Sequence, residues 1–397
     1  MTNSLQHTFL QLSELLQQSQ HLWKPVAFHQ STPQWVAHAP ELAKTLLGFS
    51  AQQIEQFHYE PTELTPLLIN EFPFLSEIHS LISLPASETK QLNSVNPRFY
   101  AGIPGRKWQQ VEALCSSVDI SAQSVLEYCA GKSHLGFYIA HCYDVSVTAL
   151  EWDNALVQQA NSRAQTENHK LDSHQVDVLS QSCDRFFHPA QHVLALHACG
   201  GLHERLLDLC LANQVSEVSL VPCCYHKRND EHYLPYSALG KQQALRLTKT
   251  DLHTAVMETV TAGATVVKQR KTLQTMRLGF DLLQRELLAK DNYLPLPSMP
   301  LSFSRLNFED FCQYWAKENQ LHLPASVNWS HYLTLAQQRF HKVSAFDLMR
   351  AVFRRPLEVW LNMDKALWLQ EHGYEVRLTT FCDRNVSPRN ILLQASR

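Results

Sequence analysis

The run Val125-Leu-Glu-Tyr-Cys-Ala-Gly-Lys-Ser-His-Leu-Gly136, followed by Val147-Thr-Ala-Leu-Glu151, constrains this chain more than any other feature. Its apolar start predicts a buried strand, and Ala130 and Gly131 predict a tight loop whose backbone comes close to a ligand. Leu135 to Cys142 supply the apolar face of a helix. Glu151 follows Gly131 by twenty residues, at the end of the next strand, where a carboxylate can accept both hydrogen bonds of a ribose diol. The unit reads as a nucleoside site at the edge of a parallel sheet.

Three cofactor classes use such a unit. A phosphate-binding loop, which Gly131-Lys132-Ser133 superficially fits, needs a glycine five residues earlier, where Leu126 stands. A dinucleotide loop needs three glycines so that the pyrophosphate can sit on the helix N-terminus. Its outer positions hold Cys129 and Ser133, which makes an NAD-binding oxidoreductase the weaker reading. S-adenosylmethionine needs an acid at the end of the first strand, one close-approach glycine and an acid at the end of the second, which Glu127, Gly131 and Glu151 provide. Asp177, at the end of an expected third strand, can accept from the adenine amino group. Any one of these acids reads equally well as a solvated strand end; three on successive strands favour a site. S-adenosylmethionine is therefore the expected cofactor, with Cys129 and His134 in the loop region and His197 on strand four as further contacts.

A chain of 397 residues is too long for one small domain. With 45% hydrophobic residues, eight Trp and eighteen Phe, it can build a sizeable core. A formal charge of -3 gives no global basic field, so a nucleic-acid partner would have to be met by a local patch. Ten scattered cysteines, with no signal peptide and no apolar run long enough for a bilayer, point to a cytoplasmic protein with free thiols and no membrane partner.

Residues 1–95 read as a helical N-terminal region, from the leucine spacing of Leu5 to Leu16 and the apolar stretches Leu42 to Phe49 and Ile54 to Phe57. A helix over Arg106 to Val118 leads into strand one, and residues 96–397 form the catalytic domain. Strand four is predicted over His192 to His197, a crossover helix over Leu202 to Asn213 and strand five over Glu217 to Val221. A helical insertion spans about 236–371, with helices over Arg277 to Leu288 and Phe346 to Leu369 and a proline-rich break at Leu294 to Pro300. Val376 to Phe381 and Ile391 to Gln394 close the sheet as an antiparallel pair.

Ligands of open parallel sheets collect beyond the carboxyl ends of the strands. Two clusters are expected there, His197-Ala-Cys-Gly-Gly201 and Pro222-Cys-Cys-Tyr-His-Lys227. Zinc is weighed and set aside: adjacent Cys223 and Cys224 should point apart, and neither Cys-x-x-Cys nor His-x-x-x-His spacing is present, so no metal is expected. A cysteine nucleophile has no neighbour that certifies a depressed pKa, and a buried cysteine also serves simply as a small apolar residue. His226, Tyr225 and His197 are the candidates for moving a proton, and Arg389, Asn390, Lys107 and Lys227 for holding the acceptor.

Cys-Ala-Gly-Lys-Ser-His-Leu, His-Ala-Cys-Gly, Pro-Cys-Cys-Tyr-His and the late Ser387-Pro-Arg-Asn390, in that order, resemble the motifs of an S-adenosylmethionine-dependent methyltransferase-domain family. That family includes the methyltransferase-like protein twenty-five group and the glutathione S-transferase C-terminal domain-containing protein, and is more distantly similar to tRNA 2′-O-methyltransferases. The likeness covers roughly residues 97–230 and 345–397. It implies an α/β, class I (Rossmann-like) sheet of seven strands with the last antiparallel, and cofactor binding at the loop holding Gly131. The resemblance carries Glu127, Gly131 and Glu151 onto cofactor positions and Arg106-Lys107 onto a basic pair before strand one. Cys129 and Ser133 replace usual glycines, narrowing the room for the methionine end. The expected function is methyl transfer to an acceptor that analogy makes RNA. The rival expectation is a degenerate methyltransferase fold acting as a scaffold.

Overall fold

The computed structural model describes residues 2–30, 32–257 and 262–397. It divides into two compact units, each assembled from separated stretches of chain: Met1–Gln17, Ile78–Val256 and Arg355–Arg397 make one, Gln18–Glu77 and Met257–Arg354 the other. The stretch 1–95 is thus shared between them.

The first unit is built on seven strands: β1 (Ser124–Tyr128), β2 (Ser146–Glu151), β3 (Leu171–Gln175), β4 (Gln191–Cys199), β5 (Glu217–Cys223), β6 (Glu375–Thr380) and β7 (Ile391–Ser396). Their order is β3-β2-β1-β4-β5-β7-β6. β1 to β5 are parallel, and β7 lies antiparallel to both β5 and β6, so β6 runs with the first five and only β7 is reversed. This is the expected class I methyltransferase sheet. Side chains alternate between two cores: Leu126, Val193 and Ala195 face one layer with Leu206, Leu207, Ala366 and Leu369, while Val125, Leu194 and Val221 face the other with Leu114, Phe137 and Ile139. Covering helices on both faces explain why these strands read as continuous apolar runs. The first helix, Thr2–Gln18, belongs mostly to this unit, where Phe9 stacks on Trp360 and the Trp360 indole donates to Ser13 Oγ.

The second unit is helical. Helices Ala264–Leu288, Phe308–Glu318 and Trp329–Ala351 close on Phe280, Phe308, Phe311 and Trp315. A buried Arg339–Asp281 pair at 2.5 Å sits within it. Among the described residues no helix is long and apolar enough to cross a membrane.

Two local expectations change. β3 stops at Gln175, because β2, which it pairs with up to Glu151, ends there; Asp177 lies two residues beyond the strand. The predicted helix over Phe346 to Leu369 is two helices, Trp329–Ala351 and Arg354–Glu371. Pro356 accounts for the break, since it has no N–H for the carbonyl of Val352 and its ring would collide with that turn.

Candidate active site

The sheet reverses its order of growth between β1 and β4, and the loop 129–133 leaves β1 at that point. The chain reaches the needed turn with three left-handed residues, Cys129 (φ 57°), Gly131 (φ 59°) and Ser133 (φ 51°). Only one is glycine. A residue with a Cβ is held in that region at roughly 1–2 kcal/mol, a strain typical of sites whose backbone shape matters. Ser133 makes no side-chain cap to the helix that follows. Ser133→Gly should therefore stabilise the protein by up to about 1 kcal/mol, glycine's greater unfolded-state freedom taking back part of the relief. Chemical denaturation checks this; a clear loss of stability would mean the hydroxyl is needed.

Glu151, at the end of β2, accepts the Gly131 N–H at 2.7 Å through Oε2 and the Asp153 N–H at 3.0 Å through Oε1. A Cβ added at Gly131 would meet no atom within 4 Å, so the loop faces open space. Exposed Trp152 follows immediately. Glu127 is turned inward: it is 4% exposed, its Oε2 accepts the Gly136 N–H at 3.1 Å, and burial pushes its carboxyl up to about 8. It is thus protonated at neutral pH, and ionising it as pH rises from the usual carboxylate range through 8 works against the fold. Gly136 is required beneath it, since a Cβ there would lie 2.5 Å from Glu127 Oε2 and 3.0 Å from Leu171. His134 opens the helix His134–Tyr143, and burial, with Lys107, Arg163 and Lys132 adding to it, lowers its imidazole to about 4. Asp177 is exposed and accepts the Leu179 N–H at 3.1 Å.

At the ends of β4 and β5 the two cysteine-containing motifs lock together. Gly200 N–H donates to the Cys223 carbonyl at 3.0 Å and Gly201 N–H to the Lys227 carbonyl at 2.9 Å. His197 has a left-handed backbone (φ 65°) and its Nε2 lies 2.7 Å from Gln110 Oε1. Gln110 in turn donates through Nε2 to the Val386 carbonyl at 3.2 Å. Because that carboxamide oxygen needs a donor, Nε2 of His197 carries the proton and Nδ1 keeps its lone pair, with no hydrogen-bond partner among the described residues. Burial lowers this imidazole to about 4. Among the described residues His226 Nδ1 likewise has no hydrogen-bond partner, and its ring meets His253 edge-on at 4.7 Å. Burial also lowers the His226 imidazole.

Tyr225 is the expected proton carrier that the fold withdraws. It is 2% exposed, its hydroxyl accepts from Asn362 Nδ2 at 2.8 Å, and burial holds it well above its usual range. Arg389, expected to reach the acceptor, bonds the Ala255 carbonyl at 2.9 Å and Glu358 at 3.3 Å with its side chain 11% exposed. One of its partners is thus Glu358, on a separate helix. Asn390 donates to the Cys382 carbonyl at 2.8 Å, closing the turn between β6 and β7. That turn lies at the same end of the sheet as Gly131, joined to His197 through Gln110. Lys107, Lys132 and Lys227 stay exposed, and Lys107 acts on Glu127, His134 and His197 together.

Sequence reasoning gave no role to Gln110, Gly136, Gly200 or Trp152. Gly136 carries a signal, because glycine inside an apolar helix is costly unless something packs against it. Gln110 carries none.

The strand order, the reversed seventh strand and an acid facing the first loop define a class I methyltransferase fold. Residues 106–231, about a third of the chain, match the family described as methyltransferase domain. Among solved structures, the chain is similar to magnesium protoporphyrin IX methyltransferase from Synechocystis PCC 6803, at 10% identity over 77% of this chain and 89% of that one, TM-score 0.32. It is also similar to the tRNA (uracil-54, C5)-methyltransferase of Pyrococcus abyssi, at 16% identity and TM-score 0.25, over 29% of this chain and only 28% of that protein's length. Both were solved with S-adenosylhomocysteine. The fold assignment stands on strand order and register, not on these likenesses.

Proposed function

We propose that this chain is an S-adenosylmethionine-dependent methyltransferase whose acceptor is RNA. The observation that carries the cofactor is the Glu151 carboxylate, 2.7 Å from the Gly131 N–H and beside open space over Gly131, at the point where the sheet changes its direction of growth. In this reading Glu151 holds the ribose hydroxyls, the bare Gly131 backbone admits the ligand, and Trp152 and Asp177 receive the adenine. Glu127 supports the loop from below through Gly136, and Cys129 and His134 line its two ends. When bound, the cofactor supplies an electrophilic methyl group for an in-line displacement.

The support for RNA is the set of exposed lysines at this edge, Lys107, Lys132 and Lys227, which suits a phosphate-bearing acceptor despite the chain's net negative charge. Family resemblance points the same way, and the narrower kinship with the methyltransferase-like protein twenty-five group rests on the four ordered motifs. Arg389 is left out of acceptor binding because Glu358 already engages it. His226 takes the proton if the acceptor atom is a hydroxyl; His197 and Gln110 position the edge.

The test is transfer of labelled methyl from S-adenosylmethionine to total RNA. We expect His226→Ala to lower turnover at least about tenfold with little change in cofactor affinity. Label in protein or small molecules with none in RNA would remove the acceptor assignment, and wild-type turnover in His226→Ala would remove the base.

A further inference from the structure

Cys199, Cys223 and Cys224 take no part in the reading above. Cys199 ends β4, Cys223 ends β5, and the two face each other in the register of that parallel pair with sulfurs 3.2 Å apart. The sequence expectation that Cys224 points away is overturned. Its backbone is left-handed (φ 48°), which turns the side chain back, and all three sulfurs lie within 4.8 Å of one another. Sulfurs about 2.3 Å from a tetrahedral zinc stand roughly 3.8 Å apart, so this spacing brackets what such an ion requires. None of the three is in a disulfide, and Cys199 and Cys224 are only partly buried.

The convergence has a cost that packing alone would not demand. His197 and Cys224 both hold positive φ with side chains attached, and Gly200 takes a conformation that brings the two strand ends into contact. The sulfurs of Cys199 and Cys223 also point at the His197 carbonyl, at 3.6 and 3.4 Å, so the cluster is a polar one.

We propose that Cys199, Cys223 and Cys224 form a three-thiolate site for a thiolate-preferring dication, zinc being the ion that fits, with a fourth position left for water or another ligand. On binding, each thiol gives its proton to solvent and its sulfur lone pair to the ion, with no change of oxidation state. Three thiolates leave one net negative charge on a dication, and exposed Lys227 acts favourably on Cys199 and Cys224. The ion would tie the carboxyl ends of β4 and β5 together. The proposal does not depend on the methyl-transfer reading.

The probe is cobalt, titrated into full-length protein that has been reduced and stripped with a chelator. We expect one equivalent to give the intense near-ultraviolet band of thiolate-to-cobalt charge transfer, bleached by one equivalent of zinc. Cys199→Ser and Cys224→Ser should each lose that band while Cys142→Ser, outside the trio, keeps it. Wild-type protein, folded by circular dichroism, that gives no band would overturn the proposal, whatever the variants do. So would a band that survives Cys224→Ser, or a Cys199–Cys223 disulfide formed in air by protein that takes up no cobalt when reduced.

Discussion

Gly200→Ala should unfold the chain or cost it about 4 kcal/mol or more, the range reserved for substitutions that force backbone against backbone. Gly200 has φ 53° and ψ -124°, which a side chain does not tolerate. Its added Cβ would stand 1.9 Å from the Lys227 carbonyl oxygen and 2.6 Å from the carbonyl carbon. Neither atom can swing away, because that same oxygen accepts the Gly201 N–H and the Gly200 N–H is bonded to Cys223. The motif around His197 and the motif around His226 would separate, so activity should fall with stability. Urea unfolding of the variant against wild type measures this; an unchanged midpoint would mean the two strand ends are not joined this way.

Asp364→Ala is expected to cost roughly 3–5 kcal/mol, as for breaking a buried charged network by deleting one member. Asp364 is fully buried and accepts four hydrogen bonds, from the Tyr233 hydroxyl at 2.8 Å, the Tyr236 N–H at 2.8 Å, and the Ser237 N–H and hydroxyl at 3.1 and 2.6 Å. These donors lie just past the Pro222 to Lys227 loop, so one carboxylate fixes the chain as it leaves β5 against the helix Arg354–Glu371. The neighbouring Lys365 is also fully buried, its ammonium 5.3 Å from the ring centres of Tyr225 and Tyr233. Burial lowers that ammonium to about 8, and Glu204 and Asp364 oppose the shift. Removing Asp364 therefore strands four donors and weakens the support of a buried cation. Thermal and urea unfolding of Asp364→Ala should both show the loss; a shift under about 0.5 kcal/mol, the usual range for surface changes, would contradict the network.

What could be read from the sequence was what neighbouring residues determine. The strands follow from apolar runs, and the Gly131 loop with Glu151 at the end of the next strand follows from one glycine and an acid twenty residues on. The seven-strand sheet with its reversed last strand was implied by the family resemblance, and the hydrogen bond from Gly131 to Glu151 was not foreseen. What could not be read depends on residues far apart in the chain. Arg389 was expected to hold the acceptor or to pair with a nearby acid such as Asp383, and its engagement by Glu358 was not legible because Glu358 lies thirty-one residues earlier on a separate helix. Tyr225 looked like part of the acceptor edge because nothing local announces Asn362. Gln110, eighty-seven residues from His197, has no pattern at all. Cys224 misled for a different reason: alternation along a strand predicts that neighbours diverge, and the strand had already ended in a left-handed turn. The helical segments predicted before and after the sheet motifs say nothing of how Gln18–Glu77 and Met257–Arg354 come to form one unit.

The central claim is that the loop after β1 and the acid after β2 hold an adenosyl cofactor. Calorimetric titration of the full chain with S-adenosylhomocysteine, repeated on Glu151→Ala, tests it most directly. Wild type should show one site, weakened in the variant by about 1.5–3 kcal/mol, the worth of hydrogen bonds to a charged group, with the fold intact by circular dichroism. No heat at millimolar ligand in wild type, or equal affinity in the two proteins, would contradict it.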